Sequence, residues 1–159
     1  MADFYPWFVF AHLAGLVLFA ISHGASAFMA FRVRAERDPA VVASILRTGQ
    51  LSLGPMYLGL VLLAVGGIGA AAGADLWGKP WLIASIAVFV AILVVMWVVA
   101  SPYYMNLRKE LEAVGADGRP TIDPETLASR LDTRRPEILA AVGTIGLLLL
   151  VWLMVVKPG

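Results

Sequence analysis

The sequence contains no cysteine and few charged side chains. Of its 159 residues, 14% are charged and 60% are hydrophobic, whereas soluble domains are about a quarter charged and about half apolar. Without cysteine, the chain can form no disulfide, thiolate metal site or cysteine nucleophile. A net charge of only +1 gives no indication of nucleic-acid binding. This composition predicts an integral membrane protein that forms a single domain over residues 1–159.

Four apolar segments are long enough to cross a bilayer, which requires about 20 residues in a helix. They cover approximately residues 6–31, 54–73, 80–100 and 136–156. Three of them have a proline near their start, where the missing N–H costs little. The sequence therefore predicts an all-α fold, a four-transmembrane-helix bundle.

The basic residues are distributed unevenly between the connections. Ten of the twelve lie in residues 32–53 and 101–135, and only Lys79 and Lys157 lie on the other side. The positive-inside rule then places both long connections in the cytoplasm and both termini outside the cell (inner) membrane. Aromatic belts fit this orientation, with an outer set and an inner set: Trp7, Trp77, Trp81 and Trp152 outside, and Trp97, Tyr103 and Tyr104 inside.

Each long connection contains an Asp-Pro pair, Asp38-Pro39 and Asp123-Pro124. Aspartate as N-cap and proline as first helical residue predict a short helix after each pair. The first of these has an apolar face, so it either lies on the membrane surface or packs beneath the bundle. We also expect the third spanning helix to continue past Pro102, and residues 116–120 to form a turn.

The two histidines, His12 and His23, both lie in the first apolar segment. Their spacing of eleven residues returns a helix to the same face within about 20°, displaced by about 16.5 Å. An imidazole in hydrocarbon usually faces the interior of a protein, so we expect both to face other helices. No other titratable group is predicted in the hydrocarbon core, which argues against ion-coupled transport. Each imidazole then either hydrogen-bonds a neighbouring helix or ligates haem iron.

Two imidazoles stacked along one helix cannot ligate opposite faces of one haem. The alternatives are one haem with one histidine, or two haems at two depths. Methionine is the only usual distal ligand available, with Met154 near the depth of His12, and Met56 and Met96 near that of His23. These methionines are equally explained as core filling. A five-coordinate haem, a ligand from another chain and a copper(I) site of histidine and methionine also remain open.

Small residues recur in the first two segments. Gly59, Gly66 and Gly73 repeat every seven residues, and Gly69 with Gly73 forms a GxxxG pattern. Beside His23 lie three more small residues, Ser22, Gly24 and Ser26. In lipid, small residues allow helix backbones to approach closely. They also make room for a flat cofactor, so both interpretations stand.

The stretch FVFAHLAGLVLFAISHGASAFMAFRVRAERDPAVV, together with SPYYMNLR at the end of the third span, resembles an uncharacterised bacterial family of predicted integral membrane proteins. More distantly, the chain resembles copper-resistance protein D-like membrane domains and the HemJ type of protoporphyrinogen oxidase. The HemJ type binds b-type haem through a first-helix histidine, and the resemblance implies His12 as its counterpart. That type also uses a basic residue in a later helix, where this chain has only Lys79. The copper-resistance relatives imply copper handling, although the chain lacks a methionine-histidine cluster at its outer face.

The functional expectation from the sequence is a small membrane protein that binds haem b. It would act in electron transfer or as a subunit of a respiratory or photosynthetic complex. The second hypothesis is a cofactor-free accessory or assembly subunit with structural histidines, and the third is a HemJ-like oxidase. The expected partners are the lipid bilayer and other membrane subunits or a second copy of the chain, with no nucleic acid.

Overall fold

The computed structural model describes residues 2–115, 118 and 120–158. A short 3-10 turn at Ala2–Phe4 is followed by six α-helices: α1 Tyr5–Ala35, α2 Pro39–Gln50, α3 Leu53–Gly73, α4 Pro80–Glu112, α5 Pro124–Leu131 and α6 Arg135–Val156. Within these described ranges there is no β-strand. Four helical stretches, which contain α1, α3, α4 and α6, are long and apolar enough to cross a membrane. The predicted all-α fold with four spans is therefore confirmed.

Local signals placed the helix ends correctly. The Asp38 carboxylate accepts a hydrogen bond from the Ala40 N–H at 2.8 Å, and the Asp123 carboxylate accepts one from the Thr126 N–H at 3.0 Å. These contacts satisfy N–H groups that a helix start leaves without partners. As predicted, α4 continues through Pro102 to Glu112. The predicted turn at residues 116–120 and the basic residue Arg119 lie largely outside the described residues.

The most completely buried apolar side chains lie at one end of the molecule, where α2 and α5 pack; we call it the basic end. Here the last turns of α1 and α4 meet α2 and α5 in one apolar cluster: Val33, Val42, Leu46, Leu107, Leu111, Leu127 and Leu131. Helix α2 therefore packs beneath the bundle through Val42 and Leu46, which decides between the two predicted positions. Both long connections lie at this same end, as their basic residues predict.

The four spanning helices form two pairs. Helix α1 packs most extensively against α3, and α4 against α6, while a smaller contact between α1 and α6 joins the pairs. Their other faces carry large apolar side chains that no protein element covers, for example Val17, Val61 and Ile145. Since apolar side chains are as well accommodated by lipid tails as by protein, close packing rather than hydrophobic burial must hold the spans together.

A second apolar cluster lies at the opposite end of the molecule and contains Ala71, Trp81 and Leu82, with Leu76 and Met154 packed against it. Trp81 is only 7% exposed, so the prediction that it belongs to an interfacial belt is wrong. The Lys157 ammonium lies 5.6 Å above the ring of Trp81, a cation–π distance. The ring of Trp81 therefore connects α4 to the end of α6.

The other three tryptophans of the predicted outer set are well exposed, as a belt requires: Trp7, Trp77 and Trp152. Trp97, of the predicted inner set, is 72% exposed and lies ten residues before Leu107 of the basic-end cluster. Tyr103 and Tyr104, by contrast, pack against the buried cluster beneath the bundle. The burial of each ring depends on which neighbour it meets.

Candidate functional site around the two histidines

The glycine row of α3 faces α1 along its whole length. A Cβ atom on Gly59 would lie 2.7 Å from the backbone nitrogen of Phe19, and one on Gly66 would collide with the backbone nitrogen of His12. A Cβ on Gly73 would lie 3.3 Å from the ring of Tyr5. The two helices run antiparallel with their backbones in contact, so the predicted helix interface is confirmed.

The imidazole of His12 is tied to α3 by a hydrogen bond. Its Nδ1 lies 2.7 Å from the carbonyl oxygen of Leu63. Because a carbonyl oxygen only accepts, Nδ1 carries the proton and donates, and Nε2 is left with the lone pair. Gly67 makes room for the ring, since a Cβ there would lie 3.0 Å from Nδ1 and 3.1 Å from Cε1. The fold thus selects one tautomer and one orientation of His12.

The imidazole of His23 meets α6 instead. Its Nε2 abuts the position that a Cβ of Gly143 would occupy, and its Cε1 is 3.2 Å from that position. On its other side the ring stacks on Phe19, with centroids 5.4 Å apart and planes inclined by 12°. His23 therefore fits between its own helix and the backbone of α6, and only a glycine at position 143 leaves space for it.

Both imidazoles lie at helix–helix contacts, as their common face predicts, but they contact different helices. His12 binds α3, and His23 packs on α6. The hydrogen bond of His12 has no counterpart at His23 among the described residues. The two rings consequently lie in two separate environments along α1, one hydrogen-bonded and one packed against a backbone.

The predicted methionine partners lie at two levels. The terminal methyl of Met96 is 3.1 Å from the Cβ position of Gly143, so Met96 and His23 both lie against that glycine. Gly143 and Met154 are eleven residues apart on α6, the same spacing as His23 and His12 on α1, so Met154 lies near the level of His12. Its side chain packs in the cluster at the opposite end. That Met154 serves as a distal ligand stays a prediction.

Met56, the third predicted methionine, lies three residues before Gly59 on α3. Because Gly59 faces Phe19, the antiparallel register places Met56 near the level of His23. Its side chain is half-buried. Its depth thus agrees with the prediction, and the contact with Gly143 is made by Met96 instead.

The small residues beside His23 do not share one environment. Ser22 is 5% exposed, Ser26 is half-buried, and Gly24 is exposed with no atom within 4 Å of its Cβ position. Successive helical residues are about 100° apart, so a neighbour of a buried residue often faces outwards. Close helix contact, which we predicted for Gly24, is therefore wrong at this position.

An ion pair at the basic end was missed by sequence reasoning. The guanidinium of Arg34, at the end of α1, contacts the Glu137 carboxylate, at the start of α6. The second carboxylate oxygen, Oε2, is buried and has no hydrogen-bond partner among the described residues, and the same holds for the Tyr104 hydroxyl. Glu137 is the second residue of the fourth predicted span, at its basic end. The available signal was an acid and a base at the same end of two spans.

Outside the spans, the connection from α1 to α2 is held by a carboxylate. The backbone N–H groups of Arg37 and Asp38 donate to the Glu36 carboxylate, at 2.8 and 3.2 Å. These two hydrogen bonds hold the pKa of Glu36 below its usual value. In the part of the chain that the structure describes, no group of three or more histidine, aspartate or glutamate side chains converges as a metal site would require.

Comparison with known proteins agrees with the description of the chain as a membrane protein. No curated protein and no solved structure matches the chain. The sequence model of one family, described as "Predicted integral membrane protein (DUF2269)", matches residues 7–158, which include both histidines and all four spans. Because this match covers nearly the whole sequence, the chain belongs to that family of predicted integral membrane proteins.

Proposed function

We propose that this membrane protein binds one b-type haem through Nε2 of His12 and serves electron transfer in the bilayer. The observation that carries the proposal is the hydrogen bond from His12 Nδ1 to the carbonyl of Leu63. A histidine that ligates a metal almost always donates its other ring N–H to a carbonyl or carboxylate. This fixes the ring, leaves the second nitrogen unprotonated and raises its basicity.

The two histidines differ in their fit to a haem ligand. At His12 the nitrogen that faces α3 is Nδ1, and Nε2 keeps its lone pair. At His23 it is Nε2 that abuts the backbone of α6 at Gly143, and no hydrogen bond among the described residues orients the ring. These contacts favour His12 over His23 as the ligand, so the proposal is one haem and not two.

The residues around His12 have separate roles in this proposal. Leu63 orients the imidazole through its carbonyl, and Gly67 provides the space in which the ring lies flat against α3. Gly66 allows the backbones to approach closely enough for the hydrogen bond to form. When bound, haem would supply one-electron exchange, with a potential tuned by this ligand and its surroundings. Because the side chain of Met154 packs against the cluster of Ala71, Trp81 and Leu82, the proposal assigns no distal ligand from this chain.

Electron transfer is preferred over the oxidase activity of the HemJ type. That activity relies on a basic residue in a later helix, and the equivalent here would be Lys79. Lys79 is the exposed N-cap of α4, at the end of the molecule away from the basic end. The distant resemblance supports haem binding through the first helix. It supports copper handling less, because the described residues form no cluster of methionine and histidine at that end.

A second candidate function is that of a cofactor-free accessory or assembly subunit with structural histidines. The packing of His23 against Gly143 favours it, because this contact joins α1 to α6 and so links the two helix pairs. In this alternative, the hydrogen bond of His12 only strengthens the α1–α3 contact. The two candidates differ in whether a chromophore is present.

The absorption spectrum of the purified protein distinguishes them. The protein would be produced in cells with an ample haem supply, extracted in mild detergent and assayed as the pyridine haemochrome. We expect a Soret band and about one haem per chain. A colourless protein that is nevertheless folded would reject the haem proposal and leave the accessory subunit in its place.

A further inference from the structure

A groove of about 280 Å³ lies between the last turns of α1 and helix α2, at the basic end. One part of its wall is apolar and is formed by Phe28 and Met29 of α1 and by Val41 and Ile45 of α2. Phe28 is 67% exposed and Val41 is 39% exposed, so neither is covered by another helix. The side chains of Val42 and Leu46 do not line the groove, because they are buried in the apolar cluster.

The other part of the groove is polar and is formed by Arg32, Ser44 and Thr48. Arg32 follows Phe28 by four residues on α1, one helical turn or about 6 Å further along the axis. The groove therefore changes from apolar to basic in the direction that leads out of the hydrocarbon core. Arg32 is the first residue after the predicted span 6–31, so we expect it at the depth of the lipid headgroups.

Among the residues that the structure describes, no carboxylate forms an ion pair with Arg32. Within the described part of the chain, Arg34 and Arg130 each form an ion pair with a glutamate. Arg37 donates to two backbone carbonyls. Glu36 is near enough to Arg32 for an electrostatic effect. Its carboxylate, however, accepts its hydrogen bonds from the backbone of the α1–α2 connection. A cationic side chain is thus presented beside an uncovered apolar groove.

We propose that this groove binds an anionic phospholipid, with the phosphate of its headgroup at Arg32 and an acyl chain along Phe28, Val41 and Ile45. Basic pockets between membrane helices bind anionic headgroups, and each arginine near such a surface adds about 1 kcal/mol. Apolar side chains in the adjoining groove accommodate the acyl chain, as lipid tails do. The bound lipid joins α2 to α1 from the outside, beside the buried face of α2, since Ile45 borders both the groove and the buried cluster. This inference is independent of haem.

The test titrates the purified protein in detergent with phosphatidylglycerol, phosphatidylcholine or inorganic phosphate. Thermal unfolding and native mass spectrometry follow binding. We expect phosphatidylglycerol to raise the melting temperature and remain bound, while the other two compounds have little effect. Arg32→Gln should weaken phosphatidylglycerol binding about fivefold, which corresponds to the loss of one surface arginine. The matched control is Arg47→Gln, an exposed arginine of α2 outside the groove.

A second variant tests the apolar part without removing charge. Val41→Trp fills the groove from an exposed position, so it should reduce phosphatidylglycerol binding while leaving the lipid-free melting temperature unchanged. Equal stabilisation by phosphatidylcholine would overturn the proposal, and so would equal losses in Arg32→Gln and Arg47→Gln. Stabilisation by inorganic phosphate alone would indicate an anion site and would also overturn it. Should Arg32→Gln not fold, unchanged lipid binding in Val41→Trp would be sufficient to reject the groove.

Discussion

His12 of α1 donates its Nδ1 proton to the backbone carbonyl of Leu63 on α3, with the two atoms 2.7 Å apart. A side chain reaches a helical carbonyl from a neighbouring helix only where the two backbones lie very close. Here Gly66 and Gly67 have no side chains that would hold the two backbones apart. The orientation of the imidazole and the packing of α1 against α3 therefore depend on each other, and both are open to test.

Gly66→Ala should destabilise the protein. The new Cβ would collide with the backbone nitrogen of His12, which cannot move without separating α1 from α3. Overpacking of this kind costs about 1–3 kcal/mol. Thermal unfolding in detergent measures it, with Gly24→Ala as control, since Gly24 has open space at its Cβ position. We expect Gly24→Ala to be neutral or slightly stabilising, and equal melting temperatures for the two variants would contradict the interface.

Gly143→Ala should destabilise the protein through His23. The added methyl would occupy the position of His23 Nε2 and displace the ring. In a double-mutant cycle, the cost of Gly143→Ala should fall markedly when His23 is already alanine, because the colliding atom is gone. The melting temperatures of the four proteins give the coupling. The same cost in both backgrounds would show that the alanine collides with something other than the imidazole.

The Arg34–Glu137 pair should contribute little to stability. The two side chains are 33% and 42% exposed, so solvent screens their attraction, and we expect a coupling of at most about 1 kcal/mol. Arg34→Gln, Glu137→Gln and the double variant define it, and added salt should reduce it. A coupling several times larger, unaffected by salt, would mean that the pair is buried in the native membrane.

Labelling of introduced cysteines should place the basic end in the cytoplasm. Because the chain has no cysteine of its own, a single replacement gives a clean signal. Gln50→Cys lies at the exposed end of α2, and Gly78→Cys lies in the α3–α4 connection at the other end, where a side chain has open space. An impermeant maleimide added to intact cells should label Gly78→Cys alone. The reverse pattern would invert the orientation that the arginines predict.

Much of the fold was predictable because its signals are local. The spans follow from apolar length, and the short helices follow from their caps at Asp38 and Asp123. The glycine row at Gly59, Gly66 and Gly73 was also predictable, because a seven-residue repeat keeps one face of a helix. Each of these features needs only the residues of one segment and the period of a helix.

The partners of the histidines were not predictable in the same way. That His12 meets Leu63 and His23 meets Gly143 depends on how each helix is rotated and which helix lies beside it. The periodicity of α1 gives a common face for the two rings, and it carries no information about α3 or α6. The burial of Trp81 and the pairing of Arg34 with Glu137 were missed for the same reason. Each depends on a contact between elements distant in sequence.

The haem content of two single variants tests the central claim most directly. His12→Ala and His23→Ala would be purified with the wild type from haem-supplied cells, and each pyridine haemochrome would be normalised to folded protein. We predict that His12→Ala loses the Soret band and that His23→Ala retains about one haem per chain, since among the described residues only the imidazole of His12 is oriented by a hydrogen bond through Nδ1. Loss of haem in His23→Ala with retention in His12→Ala would contradict this assignment, and so would a wild type without haem.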